Sequence, residues 1–135
     1  MTIVNSPKFY AVHEQHSIAL GELYFFENYF VAEFKEGANI GFENFTEARL
    51  LINDFYKDRP FGFVANRINS YSIILTEAEQ FNKTFPNLMA YAIVSYTSIS
   101  EKVFEIENHF FKFNRQLFKE LSDAINWVED TLSIN

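Results

Sequence analysis

Cysteine is absent from this chain of 135 residues, so disulfide bonds and thiolate chemistry are excluded. No apolar run approaches the ~18–20 residues that a membrane-spanning helix needs. The first residues also lack the basic start and apolar stretch of a secretion signal. We therefore expect a cytoplasmic protein without a membrane span.

Glycine, histidine and basic residues are scarce. Four glycines provide no glycine-rich phosphate loop, and no Gly-x-Ser-x-Gly motif marks a catalytic serine. His13 and His16 lie three residues apart without a helical pattern, and His109 is distant, which argues against a metal site of three or four ligands. The formal charge of -7 argues against binding to nucleic acid or an anionic membrane. We expect no catalytic residue, metal or cofactor.

Aromatic residues are abundant instead, with 17 Phe, seven Tyr and one Trp. A chain of this length and composition predicts a single domain over residues 1–135 with a core rich in Phe. Successive strand residues point to opposite faces, so Tyr24, Phe26 and Tyr29 need cover on the second face of their strands. Either residues 8–15 cover these rings, or they contact a partner or a second copy of the chain.

The strand pattern predicts a mixed sheet. Two β-prone runs between residues 17 and 35 are separated by Glu27-Asn28, which predicts an N-terminal hairpin. Phe61–Ala65 and Leu88–Val94 are continuous apolar runs, typical of central parallel strands. Residues 116–119 predict an edge strand, and residues 1–15 predict either an arm laid on the domain or an extra strand.

Helices alternate with these strands. Apolar residues at helical spacing predict four helices, which begin at the capping residues Asn44, Thr76, Ser98 and Ser122. The third helix carries its apolar residues at positions 99, 103, 106 and 110. The predicted fold class is α/β: a mixed sheet with an N-terminal hairpin followed by αβαβαβα, and helices packed on the sheet.

This arrangement resembles the STAS superfamily, the fold of anti-sigma-factor antagonists. It is more closely similar to small bacterial proteins described as STAS/Sec14-like or anti-sigma-antagonist-like, of the Bacteroidetes type. Residues 21–30 resemble their opening hairpin, residues 60–72 their strand and loop, and residues 110–128 their closing strand and helix. The resemblance spans about residues 17–132 and implies a non-enzymatic module.

In the antagonist proteins, a serine in the loop after this strand is phosphorylated, within the motif Asp-Ser-small-Gly. Ser70 matches that serine in position only. The preceding residue is Asn69 and the following residues are Tyr71 and Ser72, so the motif's Asp and Gly are both missing.

The polar stretch at residues 66–72 is the candidate site, because ligand sites of open α/β sheets lie at the carboxyl ends of strands. Its side chains could contact a protein partner or a small anion, and Arg67 can pair with a carboxylate or phosphate. The alternative is a polar connection whose side chains satisfy their own backbone. The candidate residues are Asn66, Arg67, Asn69, Ser70, Tyr71 and Ser72.

Three functions remain open from the sequence. A binding or regulatory module would present residues 66–72 and the following helix to another protein. A carrier would enclose a small apolar or lipid-like ligand among its many Phe side chains. An enzyme of unrecognised type would gather an acid, a histidine and Arg67 in one pocket.

Overall fold

The computed structural model describes residues 1–134 of the chain. In chain order, the strands are β1 (Glu14–Ile18), β2 (Gly21–Phe25), β3 (Tyr29–Phe34), β4 (Asn39–Ile40), β5 (Phe61–Arg67), β6 (Ser72–Ile73), β7 (Leu88–Ser95) and β8 (Arg115–Phe118). The α-helices are α1 (Thr46–Tyr56), α2 (Ala78–Thr84), α3 (Ser100–Asn108) and α4 (Leu121–Ile134). Short 3-10 helices cover Ile3–Asn5, Pro7–Ala11 and Leu75–Glu77.

The main sheet has six strands in the order β1-β2-β3-β5-β7-β8. The first three are antiparallel, whereas β3, β5, β7 and β8 pair in parallel. β4 and β6 form a small parallel pair beside this sheet. The predicted α/β class is thus confirmed, with Phe61–Ala65 and Leu88–Val94 lying inside the central strands β5 and β7.

Each face of the sheet carries its own core, because side chains alternate along the strands. Phe63 and Ala65 belong to a core rich in Phe that also contains residues of α1 and α2. Val64 belongs to the opposite core, which α4 and Ile3 complete. Here α4 lies close to the sheet: a Cβ atom added to Gly62 would collide with Val128.

The N-terminal region differs from the predicted hairpin because β1 adds a third antiparallel strand. The sequence of β1 is polar and lies at the sheet edge, so it has little apolar alternation to reveal it. Residues 9–12, which could have formed a strand, instead lie mainly in the 3-10 helix Pro7–Ala11. The Phe9 ring packs edge-on against Tyr24 with a centroid separation of 5.9 Å, and Tyr24, Phe26 and Tyr29 are all buried. Of the two alternatives for these rings, the structure shows the first: Phe9 and Val12 pack against the core to which the three rings belong.

The prediction that Asn44, Thr76, Ser98 and Ser122 cap the four helices is wrong. Helices α1, α2 and α3 begin at Thr46, Ala78 and Ser100, and the residue before each makes no side-chain cap. The fourth helix already begins at Leu121, so Ser122 lies inside it. At the first helix, the Oδ1 atom of Asn44 accepts instead from the Gly41 N–H at 2.7 Å, within the preceding turn.

Candidate functional site

The predicted site lies at the edge of the sheet where the parallel strands β3, β5 and β7 end, as expected. The predicted loop 66–72 is too long, however: Asn66 and Arg67 are still in β5, Ser72 is in β6, and residues 68–71 connect them. Asn66 and Arg67 are successive strand residues, so their side chains enter opposite faces of the sheet. These two site residues therefore belong to two separate buried clusters.

Asn66 joins a buried polar cluster that holds the N-terminal residues. Its Nδ2 atom donates to the Glu33 carboxylate at 2.7 Å and to the Met1 carbonyl at 2.8 Å. The same Glu33 oxygen accepts from the Ile3 N–H at 2.7 Å. The Tyr96 hydroxyl donates to Asn66 Oδ1 at 2.7 Å. Asn66 is fully buried, so its amide fixes the start of the chain and is not available to a partner.

Burial raises the pKa of Glu33, although the hydrogen bonds from Ile3 and Asn66 lower it in part. A raised pKa means that the folded state binds this proton more tightly than the unfolded state does. The folding stability contributed by this protonation is present at low pH and is lost as pH rises through the folded pKa.

We expect Glu33→Gln to remove this pH-dependent contribution, because a glutamine oxygen can still accept both N–H groups. Urea unfolding from pH 4 to pH 8 should show the wild type losing stability relative to the variant as pH rises. Glu105→Gln, which changes an exposed acid on α3 away from Glu33, is the control. A difference between wild type and Glu33→Gln that stays constant with pH would contradict this assignment.

Arg67 joins the second cluster, a buried triad with Glu107 and Arg115. Its Nη2 atom donates to both carboxylate oxygens of Glu107 at 3.0 Å. The Nη2 atom of Arg115 donates to Glu107 Oε1 at 2.8 Å, and its Nη1 atom donates to Asn108 Oδ1 at 2.7 Å. Side-chain exposures are 12% for Arg67, 5% for Glu107 and 1% for Arg115. The triad ties β5, α3 and β8 together.

Aromatic rings surround both guanidinium groups. The Arg67 Cζ atom lies 4.9 Å from the centroid of the Tyr71 ring, and the Arg115 Cζ atom lies 4.6 Å from that of Tyr91. Phe104 and Phe111 also pack on Arg115. Two guanidiniums share one carboxylate, so the triad keeps one unit of positive charge. Both Arg67 Nε and Arg115 Nε are buried without a hydrogen-bond partner.

The remaining predicted residues mainly stabilise the connection itself. Asn69 Nδ2 donates to the Phe34 carbonyl at 3.0 Å, and the Ser72 hydroxyl donates to Asn39 Oδ1 at 2.9 Å. The backbone N–H of Ser70 donates to a Glu36 carboxylate oxygen at 2.6 Å. A phosphate on Ser70 would therefore lie near the carboxylate of Glu36, which repels it, while Arg67 is already paired with Glu107. Burial raises the pKa of Tyr71, and the charge of Arg67 offsets this in part.

A concave surface of about 340 Å³, which we call the β5–α3 groove, lies between this connection and the start of α3. Its walls carry hydroxyl groups, apolar side chains and the charged side chains of Glu36 and Arg67. On its rim, Tyr96 is 43% exposed and Ile99 is 66% exposed. Ile106 on α3 and Phe110 just after it are also exposed, whereas Glu107 faces the interior. The groove is lined by Glu36, residues 67–71, Ile93, residues 95–97, Ile99, Ser100, Val103 and Phe104.

Sequence reasoning missed Glu33, Glu107 and Arg115. Glu33 did carry a signal, because it interrupts the apolar run of β3 and a charge inside a buried strand needs partners. Glu107 carried no such signal, because nothing in the sequence distinguishes it from the other acids of its helix, which are exposed. Residues 99, 103, 106 and 110 were expected to form one apolar helix face, and that prediction is wrong. Val103 is partly buried, but Ile106 is exposed, and the exposed Ile99 and Phe110 lie just outside α3.

Comparison of the structure with solved structures finds an uncharacterized protein of the DUF3478 family from Shewanella loihica PV-4, described as having a SpoIIAA-like fold. The match has a TM-score of 0.52 and covers 85% of this chain and 90% of that one. The chain has a STAS-like fold. At 14% identity the likeness shows the fold alone. This STAS-like fold agrees with the resemblance found in the sequence, while the narrower Bacteroidetes type stays a prediction.

No protein-family model matches the sequence, and no curated protein matches it. Within residues 1–134, no helix is long and apolar enough to cross a membrane.

Proposed function

We propose that this STAS-like chain is a non-enzymatic binding module that holds a protein partner in the β5–α3 groove. The observation that carries the proposal is a groove of about 340 Å³ at the predicted edge of the sheet, with Tyr96 and Ile99 exposed on its rim. Large exposed apolar and aromatic side chains beside a concave surface favour a protein contact.

The framework beneath the groove supports the same proposal. Arg67 and Glu107 fix the wall formed by α3 to β5, and Asn69 fixes the opposite connection to β3. A groove with such anchored walls loses little conformational entropy when a partner binds. The contacts of Arg67 and Asn66 make both residues part of this framework, and the partner surface then consists of Ser70, Tyr96, Ile99 and their neighbours.

The two other functions have less support. The apolar cavity in the core has a volume of about 50 Å³, whereas pockets for drug-sized ligands are roughly 300–1,000 Å³. That size argues against a lipid-like cargo. The residues that line the groove include Arg67 and Glu36 but no histidine, so Arg67 does not share this groove with a histidine as the predicted enzyme site requires.

A photo-crosslinking amino acid at position 70 should capture a specific partner in the native cell, whereas the same amino acid at position 50 should not. Leu50 is a suitable control because it is also exposed, at 58%, and lies on α1 away from the groove. Ile99→Ser should reduce the crosslink from position 70 by about tenfold, the effect of losing one apolar anchor of about 1.4 kcal/mol. Equal crosslinking from both positions, or none from position 70, would overturn the proposed surface.

A further inference from the structure

A second concave surface lies at the opposite edge of the sheet, where strands β3 and β5 begin. We call it the hairpin cleft, because the turn at residues 27–28 forms part of its wall. The 3-10 helix Pro7–Ala11 and the end of α4 form other parts of the wall. Its volume is about 490 Å³, within the roughly 300–1,000 Å³ that is typical of small-molecule pockets. It shares no lining residue with the β5–α3 groove within residues 1–134.

The Tyr29 hydroxyl is a buried polar group that faces this cleft without a protein partner. Tyr29 lines the cleft and is 3% exposed, with its ring stacked on Phe26 at 4.8 Å between centroids. Within the described part of the chain, its hydroxyl makes no hydrogen bond, although buried polar groups are nearly always paired. Burial raises the pKa of Tyr29, and the charge of Glu129, which also lines the cleft, raises it further. The hydroxyl therefore stays protonated and can donate to a ligand.

The charged side chains of the hairpin cleft balance one another. Lys8 and Arg59 line it together with Glu27 and Glu129. The Lys8 Nζ atom lies 3.4 Å from a Glu129 carboxylate oxygen, whereas Arg59 donates only to two backbone carbonyls, each at 3.4 Å. An anion in the cleft would approach two carboxylates, and a cation would approach an ammonium and a guanidinium. The cleft therefore favours a ligand without net charge.

Hydrogen-bond donors, acceptors and an exposed aromatic ring occur together in the cleft. Its two carboxylates accept hydrogen bonds, Lys8 and Arg59 donate them, and the His13 ring can do either. Tyr10 also lines the cleft and is 87% exposed, so the face of its ring is free for a contact. A sugar matches this set, because each of its hydroxyls both donates and accepts, and because its C–H groups pack on the face of an aromatic ring.

The turn that carries Arg59 is strained. Lys57 has a φ of 56°, and it is the one non-glycine residue with a positive φ among residues 1–134. The Arg59 N–H donates to the Tyr56 carbonyl at 3.0 Å and closes the turn around Lys57. Backbone strain of this kind is concentrated at functional sites, where the surrounding structure holds it. Its position beside the hairpin cleft agrees with a ligand site there.

We infer that the hairpin cleft binds a neutral sugar. One sugar hydroxyl accepts from Tyr29 and donates to Glu129, while a second hydroxyl accepts from Arg59. The C–H face of the sugar ring packs against Tyr10. An apolar ligand would leave the Tyr29 hydroxyl unpaired, and an inorganic anion would be repelled by both carboxylates. This site goes beyond the protein-binding surface, and it holds or fails independently of the crosslinking result at position 70.

The first test titrates the purified chain with maltose, cellobiose and lactose and follows methyl signals by NMR. Ala11 and Leu132 line the cleft, so their methyl signals should shift and saturate with at least one of these sugars. The methyl signals of Leu50, on the exposed face of α1, should stay unchanged. If none of the three disaccharides gives a saturating shift at Ala11 or Leu132, the site is overturned.

Charged sugars test whether the ligand is neutral. Glucuronate and protonated glucosamine resemble glucose but carry one negative and one positive charge. Each should bind at least about threefold more weakly than glucose, because either charge meets like charges in the cleft. Tighter binding of either charged sugar than of glucose would overturn the assignment to a neutral ligand.

Tyr29→Phe separates a binding role of the hydroxyl from a structural one. Since this hydroxyl makes no hydrogen bond within the described residues, the variant should resist urea as well as the wild type or better. Its affinity for the sugar should fall by roughly three- to tenfold, the usual effect of losing one hydrogen bond. Tyr56→Phe is the control: that hydroxyl donates to the Phe26 carbonyl at 2.9 Å, so its loss should lower stability and leave sugar affinity unchanged. Unchanged sugar affinity in Tyr29→Phe would overturn the site.

Discussion

Glu107→Ala should lower the free energy of unfolding by about 3–5 kcal/mol, the typical effect of removing one partner from a buried ion pair. The substitution leaves two guanidinium groups, those of Arg67 and Arg115, buried without their shared carboxylate. Arg115 is the more severe case, because its side chain is 1% exposed and cannot reach water. Urea unfolding followed by circular dichroism measures the loss.

Two controls separate the buried charge from other effects of the substitution. Glu105→Ala changes an exposed acid on the same helix and should cost less than about 0.5 kcal/mol. The combined replacement of Arg67 and Arg115 by methionine and Glu107 by leucine removes all three charges and should recover most of the lost stability. A cost below about 1 kcal/mol for Glu107→Ala would mean that the two guanidiniums find other partners.

The triad also holds helix α3 in place as one wall of the β5–α3 groove. The apolar residues of helix α3 that face the rest of the molecule, Val103 and Phe104, are only partly buried, and Ile106 faces solvent. Glu107 is the buried residue of this helix. Its attachment therefore depends on Glu107 more than on apolar packing. Amide hydrogen exchange in Glu107→Ala should accordingly increase first in α3, before the central strands.

The layout of the sheet could be predicted because apolar burial determines it locally. A continuous run such as Phe61–Ala65 is buried on both faces and is recognisable within five residues. Strand β1 could not be recognised in the same way, because an edge strand with exposed polar side chains has no such pattern. The helix starts were also mispredicted, because the turns that precede α1 and α3 fix their first turns without the predicted caps.

The location of the candidate site was predictable, but the roles of its residues were not. Parallel strands end at one edge of a sheet, so the stretch after β5 had to lie there. Whether Arg67 is free or paired depends on Glu107, which is 40 positions away in sequence and has no local signal. Asn66 likewise depends on Glu33 and Met1. A polar side chain at a strand end can thus either bind a partner or stabilise the folded chain, and only its long-range contacts distinguish these two roles.

Asn66→Ala should lower the free energy of unfolding by about 2–4 kcal/mol, because it leaves a buried carboxylate and a backbone carbonyl without their shared donor. Glu33 would keep only the Ile3 N–H, and the Met1 carbonyl would keep only the longer bond from Tyr96 at 3.2 Å. The first residues of the chain should then detach and become sensitive to protease, while the central strands stay protected.

Asn69→Ala is the matched control for this prediction, because it removes an amide of the same type from the neighbouring connection. That side chain makes one hydrogen bond, to the Phe34 carbonyl, and Asn69 is exposed, so its loss should cost at most about 1 kcal/mol. If Asn66→Ala costs no more than Asn69→Ala, the buried cluster does not hold the N-terminal residues. If it costs the expected amount, Tyr96 also loses its shorter hydrogen bond and keeps only the Met1 carbonyl, so the rim of the β5–α3 groove should become mobile together with the N-terminal residues. Crosslinking from position 70 should then weaken in Asn66→Ala but not in Asn69→Ala. That difference would show that the Tyr96 hydroxyl connects the buried cluster to the partner surface.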